Sequence, residues 1–191
     1  LHRVDRRQRQ MCIRDSIQRK GVDLLLSAFS RVAGRMDDVA LLVLGDGPMR
    51  GSLEGMARKL GVGSRVKFEG HVRQADLPLK YAMADVFVFP TRYDGWGVVL
   101  NEACAAGLPI IATEAAGAAA ELVCEGENGF VVKRDDEDAI VGKMLFFADR
   151  PDVMARMRQA SLAVAEEYSV KKGVERFVGA CNKVLDLPLL S

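Results

Sequence analysis

Short apolar runs that end in glycine turns recur along this chain, and they narrow its possible folds more than any other feature. Residues 39–44 form a continuous apolar run that stops at Gly45-Asp46-Gly47-Pro48, the pattern of a strand buried on both faces of a parallel sheet. Residues 65–69 read as a short strand before Gly70. The β-branched and aromatic run 86–89 stops at Pro90, shortly before Gly95 and Gly97. Helical signals alternate with these runs. Val22, Leu25, Leu26, Phe29 and Val32 make a stripe at helical spacing, and 50–60 reads as a helix ended by Gly61 and Gly63. Short helices are expected at 76–82 and 118–124, and further strands at 108–112 and 129–132. The pattern then turns wholly helical over 137–147, 152–167 and 170–185. Five βα repeats predict an α/β fold, a doubly wound parallel sheet with helices on both faces and extra C-terminal helices. Ligands of such sheets bind beyond the carboxyl ends of the strands, so the turns at Gly45, Gly70 and Gly95 are expected on one rim.

The third of these turns carries the chemistry. In Asp94-Gly95-Trp96-Gly97-Val98-Val99-Leu100-Asn101-Glu102 two carboxylates lie eight residues apart with two glycines between them. Residues 98–106 hold no breaker and are rich in Ala, Leu and Glu, so a helix is expected to begin at Val98. A glycine turn between a strand and a helix exposes N–H groups at the helix's positive end, an anion site suited to phosphate. Asp94 precedes that helix and Glu102 lies about one and a half turns inside it, roughly 10 Å away at 1.5 Å per residue. A ligand with its negative centre over the glycines and a hydroxyl-bearing ring at each end spans the two carboxylates. A nucleotide sugar has that layout.

The segment from Pro90 to Thr113 resembles the E-x7-E region of retaining glycosyltransferases of family 4, which have the GT-B fold. The likeness extends over roughly residues 20–185. It includes Lys20-Gly21-Val22-Asp23, Gly45-Asp46-Gly47-Pro48, Phe68-Glu69-Gly70-His71-Val72 and Glu125-Gly126-Glu127-Asn128-Gly129-Phe130. Each motif is weak alone; five in this order are specific. The resemblance implies a Rossmann-like, C-terminal donor-binding domain of a hexosyltransferase. It implies that Lys20 places its ammonium on the donor diphosphate and that Glu102 binds the ribose hydroxyls. Asp94, where glutamate is more usual, binds sugar hydroxyls and positions the donor. The amides around Gly95, Trp96, Gly97 and Val98 meet phosphate, the loop Gly70-His71-Val72 holds the base, and Gly45 or Gly47 contacts the donor. The acceptor, a saccharide or lipid-linked species, is met by an N-terminal domain that this chain lacks, so the chain alone is expected to be inactive. The implied location is the cytoplasm, including the inner face of the membrane for the full-length enzyme.

The start of the chain departs from the family. Arg9-Gln10-Met11-Cys12-Ile13-Arg14-Asp15-Ser16 resembles a translated sequencing adapter, and residues 1–16 are read as such a scar, with a basic disordered arm as the alternative. On that reading the domain is 17–191, its first strand is missing, and Asp15 stands where the family carries the arginine that partners Lys20. The net charge is +1, and residues 1–16, with five Arg and two Asp, contribute +3, leaving about −2 for the body. The body therefore makes no electrostatic case for a nucleic-acid partner. No apolar run reaches the roughly 20 residues of a membrane span.

Other residues have plainer readings beside the functional one. Trp96 either walls the sugar pocket or covers the core. His71, a lone histidine, is given no acid/base role. Asp46 fits a turn residue capping amides. Asp136-Glu137-Asp138 fits a metal-binding D-x-D, but it opens a helix where acids suit capping positions. No metal and no cofactor beyond the donor is expected. Cys12, Cys104, Cys124 and Cys181 show no C-x-x-C pairing and read as reduced thiols. The rival functions are a non-catalytic nucleotide-sugar-binding module and a GT-B nucleotide-sugar epimerase. The latter needs acid/base residues that the sequence does not offer.

Overall fold

Alternation of side chains along each strand decides the architecture. Leu41 and Val43 of β2 (Val39–Leu44) and Val86 and Val88 of β4 (Val86–Phe89) are buried in one apolar cluster; their neighbours Leu42, Leu44, Phe87 and Phe89 are buried in another. A strand apolar on both faces needs cover on both. Helices α1 (Val22–Ala33), α2 (Arg50–Lys59) and α6 (Glu137–Ala148) cover the first face. Helices α3 (Leu77–Ala82), α4 (Val98–Ala105) and α5 (Ala119–Leu122) cover the second. The computed structural model describes residues 9–14, 18–148 and 150–185. With β1 (Arg9–Arg14), β3 (Val66–Gly70), β5 (Ile110–Thr113) and β6 (Gly129–Val132), the strands form one parallel sheet in the order β3-β2-β1-β4-β5-β6. This is the doubly wound fold that the alternation predicts. Each expected strand and helix is present, with ends shifted by a residue or two, as for 108–112 against Ile110–Thr113.

One expectation is corrected. The first strand is not missing. Arg9–Arg14 fills its place at the centre of the sheet, paired in parallel with β2 from Arg9↔Val39 to Arg14↔Leu44 and with β4 at Met11↔Val86 and Cys12↔Phe87. Residues 9–14 therefore belong to the fold, despite their arginines and adapter-like sequence. Strand pairing runs through main-chain N–H and C=O groups, so it tolerates an unfamiliar side-chain sequence. A vacant slot between β2 and β4 would leave two rows of buried main-chain groups without partners, at a cost of several kcal/mol. Asp15 lies outside the described residues.

Two further helices complete the chain. Helix α7 (Pro151–Glu167) lies against α4 and the loop before β5, where the Ser161 hydroxyl donates to the Leu108 carbonyl at 2.7 Å, and Arg158 donates to the Ala84 carbonyl before β4 at 2.9 Å. Helix α8 (Val170–Leu185) carries Val170, Val174 and Phe177 exposed on its surface. Among the described residues no helix is long and apolar enough to cross a membrane.

Two stability measurements check this arrangement. A truncation that begins at Ile17 removes the central strand and is expected to abolish the cooperative urea unfolding transition; an unchanged midpoint would show that Arg9–Arg14 is dispensable. Gly129 in β6 sits so near β5 that an added Cβ would lie 2.2 Å from the Ile110 carbonyl oxygen. Gly129→Ala is therefore expected to cost about 3 kcal/mol by forcing the two strands apart.

Candidate functional site

The strand order reverses between β1 and β4, so the connections leaving their carboxyl ends diverge and open a crevice. Lys20 follows β1, and the glycine turn of Asp94 follows β4. The chain reaches Lys20 through a single helical turn, Gln18–Lys20, and then Gly21 turns it into α1 with φ of 71°. Only glycine fits there: a Cβ would stand 2.0 Å from the Pro90 carbonyl oxygen. That contact lays the Lys20 segment directly on the segment after β4. The Arg92 N–H donates to the Arg19 carbonyl at 2.7 Å, and the Thr91 hydroxyl lies 2.9 Å from the same oxygen. Thr91 is in turn held by the Thr113 hydroxyl of β5, which donates to its carbonyl.

Lys20 is only 5% exposed, so it is not a solvated surface lysine. Its ammonium donates to Asp94 Oδ2 and stands 5.1 Å from the centre of the Phe89 ring. Arg19 Nη1 lies 3.6 Å from the same carboxylate oxygen. Burial by itself would raise the Asp94 carboxyl, but the Lys20 hydrogen bond and charge, the Trp96 N–H and Arg19 hold it below the ordinary carboxylate range. Asp94 is thus an anion at neutral pH and a poor proton donor. The stability it contributes is present above its unfolded pKa and is lost as pH falls through the depressed folded value.

The glycine turn is braced from beneath. The Asp94 N–H donates to Ala115, the Gly117 N–H to Asp94 at 3.0 Å, and the Ala118 N–H to Trp96 at 2.7 Å. A Cβ on Gly117 would lie 2.2 Å from the Gly95 carbonyl oxygen, so the turn after β5 needs glycine at that point. Gly97 caps α4 with φ of 90°. The amides of Val98 and Val99 belong to the first helical turn and precede its internal hydrogen-bond ladder. Trp96 is 41% exposed and its indole N–H donates to Asn101 at 3.0 Å, so it covers no core and stands at the lip of the crevice.

Glu102 sits one face of α4 further on. Its carboxylate accepts from the Tyr81 hydroxyl at 2.8 Å. Tyr81 is buried against Phe87, with ring centres 5.7 Å apart. Glu102 and Tyr81 share a cavity of about 290 Å³ with Gln74, Leu77 and Pro78. The other two glycine turns meet each other: the Gly45 N–H donates to the Gly70 carbonyl at 2.8 Å, and both glycines have positive φ, 97° and 72°. They lie on the same rim as Gly95, on the β2–β3 side of β1. His71 is exposed, and with Val72, Arg73 and Lys80 it lines a second cavity of about 510 Å³. Gly47 donates its N–H to Asp46 Oδ1 at 2.8 Å, so Asp46 is the turn residue it was expected to be.

The D-x-D string resolves into helix-end chemistry. Asp136 Oδ1 accepts from the Ala139 N–H at 2.9 Å and caps α6, while Asp138 pairs with Arg31 at 2.7 Å. Cys104 is buried on α4, and burial pushes its thiol up to about 12, with Cys124 adding to the effect; it is no nucleophile at neutral pH. Three residues of this network went unread in the sequence: Arg19, Tyr81 and Arg92. None belongs to a spaced motif, and each matters through a partner at least 21 positions away.

Comparison with known proteins places this geometry. The glycosyl transferases group 1 family model matches residues 10–164. A GDP-mannose-dependent alpha-(1-6)-phosphatidylinositol monomannoside mannosyltransferase of Mycolicibacterium smegmatis is 39% identical over 145 residues, covering 71% of this chain and 38% of the relative. Among solved structures, the C-terminal domain of the group 1 protein LpcC from Francisella tularensis superposes with a TM-score of 0.74 at 20% identity, covering 83% of this chain and 84% of that one. The GtfA/B complex superposes with a TM-score of 0.82 at 22% identity, over 95% of this chain and 37% of that one. The chain spans about two fifths of the curated relatives it matches, 38% and 42% of the first two. By its matched residues and its fold, this chain belongs to the glycosyl transferases group 1 family.

Proposed function

We propose that this chain is the donor-binding half of a retaining hexosyltransferase of family 4 that uses a nucleotide-diphospho-sugar. The observation that carries the proposal is the buried Lys20 ammonium held against Asp94 beside the Gly95–Gly97 turn, at the crevice where the strand order reverses. A cation fixed next to free helix-end amides is a preorganised site for a diphosphate whose charge grows as the sugar departs. Lys20 and the amides of Gly97 and Val98 meet the diphosphate. Glu102 receives the ribose hydroxyls on one side, with the Tyr81 hydroxyl orienting its carboxylate. Asp94 receives hexose hydroxyls on the other. A carboxylate has about four acceptor positions, so bonding to Lys20 and to the Trp96 N–H leaves capacity for a sugar.

Asp94 acts by positioning. Its depressed pKa and its fixed ammonium partner make it a weak nucleophile, and the donor phosphate itself takes the acceptor proton on the retained face. Gly45, Gly47 and the Gly70-His71-Val72 loop lie along the same rim, where the base is received. The acceptor, a saccharide or lipid-linked species, is met by protein outside this chain, in the cytoplasm or at the inner membrane face. The smegmatis relative's name makes GDP-mannose the first donor to try. Donor binding needs no metal, since the phosphate charge is met by Lys20 and by amides.

Two binding experiments test this reading. Calorimetric titration of the chain with GDP-mannose is expected to give the same affinity with and without chelator; loss of binding in chelator would return Asp136 and Asp138 to consideration as ligands. Glu102→Ala is expected to weaken GDP and GDP-mannose equally, about ten-fold or more, because the ribose is common to both and a hydrogen bond to a charged acceptor is worth roughly 1.5–3 kcal/mol. Asp94→Asn is expected to cost more for GDP-mannose than for GDP. It also leaves Lys20 buried without its counter-ion, a loss of about 3 kcal/mol in stability, so the titration is run below the lowered midpoint. Equal losses for both ligands in both variants would overturn the two-ended grip.

A further inference from the structure

The segment that bears Lys20 is gripped by an arginine from the other side of the crevice. Arg92 follows β4 and its side chain returns to the segment that bears Lys20. Its Nη1 donates to Asp23 Oδ1 at 2.8 Å and its Nη2 to Asp23 Oδ2 at 2.9 Å, a two-pronged pair with the first turn of α1. The same Nη1 donates to the Gln18 carbonyl at 2.8 Å, and the Arg92 main-chain N–H takes the Arg19 carbonyl. The chain is therefore gripped immediately before Lys20, at Gln18 and Arg19, and three residues after it, at Asp23.

The other end of the arginine is anchored as firmly. Its Nε donates to Asp135 Oδ1 at 2.7 Å. Asp135 has φ of 59°, and among the described residues it is the one non-glycine with a positive φ. Such a conformation is unfavourable for an aspartate and persists where surrounding contacts hold it. Four of the five guanidinium N–H groups are thus committed to protein acceptors. Burial would raise the Asp23 carboxyl, but the Arg92 hydrogen bonds and charge hold it below the ordinary range, so the pair stays ionised at neutral pH.

We propose that Arg92 is a positioning residue for the diphosphate grip: through Asp23 and the Gln18 and Arg19 carbonyls it sets where the Lys20 ammonium stands, without itself touching the donor. The inference rests on the reading of Lys20 as the diphosphate ligand. A fork of this kind cannot be replaced by lysine, whose ammonium is a point charge with no paired donors. It also predicts that removing Asp23 and removing Arg92 act in the same direction. An arginine that bound phosphate directly would be released by loss of Asp23 and would bind more tightly.

The test is calorimetric titration of GDP into the 191-residue chain and its variants, with thermal midpoints recorded beside it. Lys20→Ala is expected to weaken GDP about ten-fold, and Arg92→Ala by a similar factor. The double variant is expected to be within about two-fold of Lys20→Ala alone, because both changes remove one interaction. Arg92→Lys is expected to recover little, and Asp23→Asn to weaken GDP as Arg92→Ala does. Independent, multiplying losses from Lys20→Ala and Arg92→Ala would overturn the proposal. So would unchanged GDP affinity in Arg92→Ala whatever its midpoint, or equal or tighter binding in Asp23→Asn. If Lys20→Ala leaves GDP binding intact, the underlying phosphate reading falls and the proposal with it. Should Arg92→Ala not fold, Asp135→Gly serves: it keeps the left-handed backbone, removes the Nε partner, and is expected to weaken GDP a few-fold. Wild-type affinity in Asp135→Gly together with wild-type affinity in Asp23→Asn would equally overturn the proposal.

Discussion

The whole molecule depends on one constraint: a parallel sheet covered by helices on both faces has no water to meet its central main-chain groups. Each strand in the middle must pair on both sides or leave a row of buried donors and acceptors unmet. β1 is where this bears hardest, because it lies between β2 and β4 and joins the two halves of the sheet. Its presence also creates the crevice. Strands run outward from it in opposite directions, so the connections after β1 and β4 part company, and the groups they carry face a common space.

Into that space the chain brings charges that would be costly alone. Lys20 is buried, and Asp94 beside it is largely so; each is tolerable because the other is there. The arrangement fixes the ammonium in one place within the crevice. Asp94 does double duty: it is counter-ion to the lysine and, through its second oxygen, acceptor for the Trp96 N–H that shapes the glycine turn. The Arg92 network is one layer further out and of the same kind. It joins three connections, after β1, β4 and β6, through Asp23, Asp135 and main-chain carbonyls. Glycine makes the close approaches possible at two points, Gly21 against Pro90 and Gly117 against Gly95, where no Cβ fits.

Much of this was legible in the chain itself. Apolar runs stopped by glycine or proline located β2 and β4, and helical stripes the helices around them, because buried strands and amphipathic helices leave periodic marks in composition. The spaced motifs singled out Lys20, Asp94, the glycine turn and Glu102 as candidates, because a turn between a strand and a helix start leaves small residues at fixed intervals. The string at 9–14 misled, since adapter-like arginines hide a strand whose role is met by main-chain atoms. Tyr81 and Arg92 left no mark, since a tyrosine before β4 and an arginine in a loop are ordinary residues until their partners are known.

The sequence by itself determined the fold class, the order of elements, the rim on which the glycine turns lie and the candidate residues on it. Tertiary structure alone decided which of those residues meet. It buried Lys20, set Asp94 against it, gave Glu102 a tyrosine partner, and turned Asp136 and Asp138 to capping α6 and pairing Arg31. The reason is physical. Periodicity and turn chemistry are local and act over one or two turns of chain. Pairing of charges depends on distance in space, and Lys20 and Asp94 are 74 residues apart in sequence. Only the register of β1 between β2 and β4 closes that interval.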